Sequence, residues 1–108
     1  MKDDSIYIEH ILKSINRILE YISGKDRESF EEDLVTQDAV VRQLEIIGEA
    51  AKRVSKEFRS NYSDIPWSDM AGMRDVLIHD YIDVDFGVVW KTASEDIPRL
   101  KDLIIKIQ

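Results

Sequence analysis

The feature that most constrains the fold is the recurrence of apolar side chains at steps of three and four residues. Between Ser5 and Ser23, Ile8, Ile11, Leu12, Ile15, Leu19 and Ile22 keep that spacing, and Gly24 follows as a natural stop. A backbone with 3.6 residues per turn lines these side chains along one face, so the segment predicts an amphipathic helix of about five turns. A second helix is expected from about Thr36 to Phe58, where Val40, Leu44, Ile47, Ala51, Val54 and Phe58 alternate steps of four and three. The stretch between them, GKDRESFEEDL, is charged and has little apolar periodicity. It predicts a connection with room for one short helical turn begun by Ser29. RSNYSDIP carries turn chemistry, and Pro66 stands where a third helix, roughly Trp67 to Asp80, can begin. A fourth pattern starts near Asp85 and carries Phe86, Val89, Trp90, Ala93, Ile97, Leu100, Ile104 and Ile107, with Pro98 expected to kink or split it. No stretch reads as a convincing strand, internal repeat or low-complexity tract. The expected fold class is all-α: an antiparallel helix bundle of four to five helices with short links, one domain over residues 1–108.

Composition narrows the function classes. Apolar residues make up 44% of the chain and charged residues 34%, the balance of a chain that folds. No apolar run approaches the roughly 18 residues a membrane span needs, and MKDDSIYIEH lacks the basic-then-apolar layout of a signal peptide, so a cytoplasmic protein is expected. Without cysteine there is no disulfide framework and no thiolate zinc site. Two histidines, His10 and His79, make an imidazole cage improbable, and no metal or cofactor is expected. The 22 acidic residues against 15 basic give a net charge of -7, so the overall field does not draw the chain to nucleic acid. RNA binding would need a local basic surface. KRVSKEFR supplies one candidate, in which Lys52, Arg53, Lys56 and Arg59 form either a solvated helix face or a contact for RNA or a partner.

The densest chemistry lies in RDVLIHDY, residues 74 to 81. At about 100° per residue, Met70, Met73, Leu77 and Tyr81 share one sector of the third helix, which suits the core. Another sector holds Ala71, Arg74, Asp75, Ile78 and His79. Asp75 and His79 are four apart, so the carboxylate is expected to reach the imidazole and fix its orientation. An arginine and a histidine on one exposed face suit a phosphodiester, because one holds anionic oxygens and the other moves a proton. The Arg-x4-His spacing alone is a weak signal, and an ionic cluster at a bundle end or dimer seam explains it equally well. From Asp64 to Asp85 there are six acidic residues and a single basic one, Arg74, which would repel a polyanion from an isolated monomer. Two copies meeting at the Ala71–His79 face would instead line one cleft with two arginines and two histidines, and the small residues Ala71 and Gly72 would permit the approach.

Taken together, AVVRQLEIIGEAAKRVS, IPWSDMAGMRDVLIHDY and VVWKTASEDIPRLKDLI, in that order, resemble the HEPN-domain toxins of the HepT type from HEPN–MNT toxin–antitoxin pairs. The resemblance covers nearly the whole chain. Its motif, an Arg, a polar residue, a spacer to His and then x-Tyr, falls on Arg74, Asp75, His79 and Tyr81. The resemblance implies a HEPN-like homodimer acting as a metal-independent endoribonuclease. His79 would serve as general base or acid while the ribose 2′-hydroxyl attacks phosphorus, Arg74 would hold the phosphate, and Asp75 would orient His79. It further implies that a nucleotidyltransferase antitoxin, the MNT partner, silences the toxin by AMP transfer to Tyr81. The competing expectation is a catalytically inactive module of the same shape that binds a nucleotide or a partner protein. Gly48 is expected to mark a close helix–helix approach, Glu49 to accept structural hydrogen bonds, and Trp67 and Trp90 to anchor the core or an interface.

Overall fold

The computed structural model describes residues 3–107, except for the side chain of Tyr81, and the described residues contain helices and no strand. Helix α1 (Asp4–Ile22) starts where the Asp3 carboxylate accepts the Ser5 N–H, and ends before Gly24, whose φ of 77° is open to glycine at little cost. Ile11, Ile15 and Ile18 on its inner face are fully buried, each contributing about 1.5–3 kcal/mol of apolar burial. The charged connection then holds a real helix, α2 (Arg27–Glu32). It begins at Asp26 and not at Ser29, which sits three residues inside and closes a reciprocal cap: Asp26 Oδ1 accepts the Ser29 N–H at 2.8 Å, and Ser29 Oγ accepts the Asp26 N–H at 3.0 Å. One apolar residue, Phe30, anchors α2, fully buried with its ring centroid 5.4 Å from that of Trp90. The buried Gln37 amide ties α2 to the next helix, donating to the carbonyls of Phe30 and Glu31.

Helix α3 (Leu34–Arg53) is the central rod, in contact with both α1 and α5, and it buries Val40, Leu44, Ile47 and Ala51 as the periodicity requires. The expected helix from Thr36 to Phe58 is not continuous. Val54 and Ser55 leave helical geometry, and a short helix α4 (Lys56–Asn61) follows. The cause is a clamp from α1: Asp4 accepts both the Ser55 N–H at 2.9 Å and its hydroxyl at 2.7 Å, while Ser55 Oγ accepts the Phe58 N–H. That clamp joins the start of α1 to the end of α3, so the two run antiparallel.

Helix α5 (Trp67–His79) begins at Pro66, and a short 3₁₀ turn, Tyr81–Asp83, follows it. Helix α6 (Phe86–Lys91) continues through a five-residue π turn, Thr92–Asp96, into α7 (Ile97–Ile104). Pro98 therefore does not split the rod. The Ile97 N–H donates to the Thr92 carbonyl, five residues back, and the widened turn gives the proline ring room where a regular helix would press it against a carbonyl. The expected four to five helices are thus four long rods (α1, α3, α5 and the α6–α7 composite) with α2 and α4 as short additions. Their buried faces meet in one apolar cluster. Among the described residues, no helix is long and apolar enough to cross a membrane.

Candidate active site

Helix α5 carries Arg74, Asp75 and His79. Trp67 fixes its start, buried and donating its indole N–H to the Tyr62 carbonyl at 3.0 Å, and Met70 and Leu77 seat its inner face. Gly48 of α3 lies against it so closely that an added Cβ would run into Cβ of Arg74 and come within 2.6 Å of the Met70 carbonyl oxygen. The glycine thus places the root of Arg74 directly on α3.

That approach builds a chain of alternating charges. Arg74 Nη1 donates to Asp75 Oδ1 at 2.9 Å, and its Nη2 pairs with Glu49 Oε1 at 3.2 Å. Lys52 Nζ reaches the same Asp75 oxygen at 3.2 Å, and Arg53 Nε donates to Glu49 Oε2 at 3.0 Å. The hydrogen bonds from Arg74 and then Lys52 hold the Asp75 carboxyl below its ordinary value, and those from Arg53, with the nearby Arg74 charge, do the same for Glu49. Arg53 is raised in turn, chiefly by Glu49 and next by a hydrogen bond with Tyr7. At neutral pH both carboxylates are therefore ionised, and an incoming phosphate would have to compete with them for Arg74. Glu49 is the structural acceptor its sequence context suggests.

Asp75 was expected to orient His79. Its bonded oxygen turns instead to Arg74 and Lys52, because two cations outcompete one imidazole a turn away. Among the described residues the His79 imidazole makes no hydrogen bond or ion pair, and it stands exposed as the last residue of α5. Tyr81 opens the 3₁₀ turn two residues further on, and its side chain lies outside those described. The basic run KRVSKEFR is divided. Lys52 and Arg53 end α3 and join the network around Arg74, whereas Lys56 and Arg59 belong to α4, beyond the break at Ser55. Among the described residues, no group of three or more His, Cys, Asp or Glu is placed to hold a metal ion.

Beside the network, α1, α3 and α5 enclose an open cleft of about 340 Å³, lined among others by Tyr7, His10, Arg42, Arg53, Arg74 and Ile78. Three of these, Tyr7, His10 and Arg42, carry no local motif. They lie on two helices far apart in sequence from RDVLIHDY, and their only signal is facing helix positions that become visible once α1 and α3 are paired.

A helical bundle with an arginine and a histidine on one helix, and a tyrosine two residues past the histidine in the sequence, defines a recognisable class. The chain belongs to the family described as ribonuclease HepT-like, whose model matches residues 11–107. It is 49% identical over 106 residues to a Methanocaldococcus jannaschii protein named "gamma-glutamylcyclotransferase and putative RNase", covering 98% of this chain and 48% of that one. The chain thus spans about half the length of that relative. It is 44% identical over 107 residues to a "putative RNase" of Caldanaerobacter subterraneus subsp. tengcongensis, covering 99% and 96%. It is 47% identical over 102 residues to a "probable ribonuclease HepT" of Thermococcus cleftensis, covering 94% and 93%. No solved structure matches the chain.

Proposed function

We propose that this chain, one HEPN-like domain over residues 1–108, is a cytoplasmic endoribonuclease and the toxin of a toxin–antitoxin pair. It needs no metal and works as a homodimer whose two motifs share one cleft. The observation that carries the reading is the pairing of a half-buried Arg74 with an exposed His79 on one helix of a chain belonging to the HepT-like family. His79 is free to take the proton from a ribose 2′-hydroxyl or return one to the leaving 5′-oxygen. Arg74 neutralises the phosphate as charge builds on it. Asp75 acts as a positioning residue, holding the guanidinium through its 2.9 Å hydrogen bond. The products would be a 2′,3′-cyclic phosphate and a 5′-hydroxyl, and DNA, lacking the 2′-hydroxyl, would be spared.

Exposed apolar side chains around the motif support the dimer: Val76 and Ile82 are 55% and 81% exposed. An added Cβ at Gly72 would meet nothing within 4 Å, so that face is open. A nucleotidyltransferase antitoxin would silence the enzyme by transferring AMP to Tyr81, placing bulk and negative phosphate beside Arg74.

A second reading has its own observation. Because Glu49 and Asp75 already occupy the Arg74 fork, the same cluster can be an inactive ionic lock in a module that binds nucleotides or a partner. The test is incubation of the protein and its His79→Ala variant with total cellular RNA in EDTA, followed by end-group analysis. Cleavage by the wild type alone, leaving cyclic phosphates, is the expected result. Intact RNA with both, at confirmed dimer and without an AMP adduct, would favour the inactive module.

A further inference from the structure

The cleft between α1, α3 and α5 is not explained by the chemistry at His79. Six of its lining residues, Arg42, Glu45, Ile46, Glu49, Ala50 and Arg53, mark a single face of α3. At 1.5 Å per residue, Arg42 to Arg53 spans roughly 16 Å, more than one phosphate needs. The charge along it departs from that of the whole chain. Three arginines face two glutamates here, a formal excess of +1, in a protein of net charge -7. The cations are not equally committed. Arg74 and Arg53 are bonded to Glu49, whereas the Arg42 side chain is 70% exposed and its pair with Glu45 is long, at 3.8 Å. Between the cations the lining is apolar and aromatic: Ile46, Ala50, Ile78 and Tyr7, the last partly buried against the core.

Cations around an apolar, aromatic bed suit a nucleotide, whose base seeks a flat hydrophobic contact and whose phosphate seeks a guanidinium. A volume of about 340 Å³ lies at the low end for small-molecule sites. We propose that this cleft is a second nucleotide subsite, which takes the nucleotide next to the phosphate held by Arg74, with its base on Tyr7 and the Ile46–Ala50–Ile78 floor and its phosphate on Arg42. The proposal rests on the ribonuclease reading for the identity of the ligand, but it predicts binding and needs no cleavage. Arg74, shared by the cleft and the motif, fixes the register between the two nucleotides.

The test is the binding of a fluorescein-labelled 2′-O-methyl hexaribonucleotide, which cannot be cut, read by anisotropy across a salt series. The proteins are the wild type, Arg42→Ala and Tyr7→Leu, with a circular dichroism melt of each to confirm folding. Arg42→Ala should bind more weakly and show a slope of log K against log salt shallower by about 0.7, the value for one lost phosphate contact on a single strand. Tyr7→Leu should weaken binding roughly tenfold with the slope unchanged, as expected for a lost stacking surface. Wild-type affinity and slope in both variants would overturn the subsite, as would no binding by the wild type. Because Arg42 is exposed, its variant remains informative if Tyr7→Leu fails to fold. Cleavage of cellular RNA, measured in parallel, separates this proposal from the one beneath it. Cleft-dependent binding without cleavage removes the ribonuclease and keeps the subsite, whereas cleavage with binding insensitive to both substitutions removes the subsite alone.

Discussion

Arg74 owes its place to a residue with no side chain. Alanine at position 48 would gain about 1 kcal/mol of helix propensity over glycine. In this structure its methyl would be driven into Cβ of Arg74 and the Met70 carbonyl, a backbone atom that cannot swing away. Overpacking of that kind costs about 1–3 kcal/mol, so the clash wins. Gly48→Ala should lower the midpoint of urea unfolding and reduce RNA cleavage together, because α5 must move off α3 and carry Arg74 with it. A midpoint at or above that of the wild type would mean the two helices part freely. Arg74 and His79 were legible in the sequence because one helix displays them both. Their companions were less so. Glu49 could be read as an acceptor, but the cation it accepts from on α5 could not, and Tyr7, His10 and Arg42 join the site only through the packing of α1 on α3.

At the scale of the element, helix starts carry much of the local order, and the capping residues are largely aspartates. Asp3, Asp26 and Asp33 each accept the N–H that opens a helix, and each carboxyl lies below the ordinary 3.8, chiefly through hydrogen bonds from Ser5, Ser29 and Thr36 respectively. A depressed folded-state value means the stabilisation is complete above the unfolded value and is lost as pH falls through the folded one. The urea midpoint should therefore stay level from neutral pH down to about 5 and fall progressively below 4. A midpoint flat to pH 2 would show that these caps contribute nothing. The four long rods were legible because each carries an unbroken apolar stripe. Two boundaries were not, and for different reasons. Helix α2 holds a single core residue, Phe30, too few to make a period. The break at Ser55 leaves the stripe intact, since Val54 is buried and Phe58 packs against the core on either side of it. Asp4, 51 residues away, makes that break, and no local pattern could report it.

For the whole molecule, the difficulty is an acidic protein that is proposed to hold an RNA phosphate with an arginine already engaged by two carboxylates. Pairing two copies about α5 would relieve it, setting two arginines and two histidines in one cleft and covering apolar surface that a lone chain leaves in water. Val76 tests this assembly well. It is 55% exposed, so a lysine there is accommodated in the monomer, but two lysines facing each other across a seam would be desolvated and mutually repelled. Val76→Lys should leave the helical content and melting of the isolated chain nearly unchanged. In sedimentation it should shift the protein from dimer to monomer, and RNA cleavage should fall with the dimer. The added charge helps the interpretation, because a new cation on α5 would by itself attract RNA. Lost cleavage would then report lost pairing and not a weakened field. A Val76→Lys protein that remains dimeric and active would move the seam away from this face of α5, and one that becomes monomeric and still cuts RNA would show that a single Arg74 and His79 suffice.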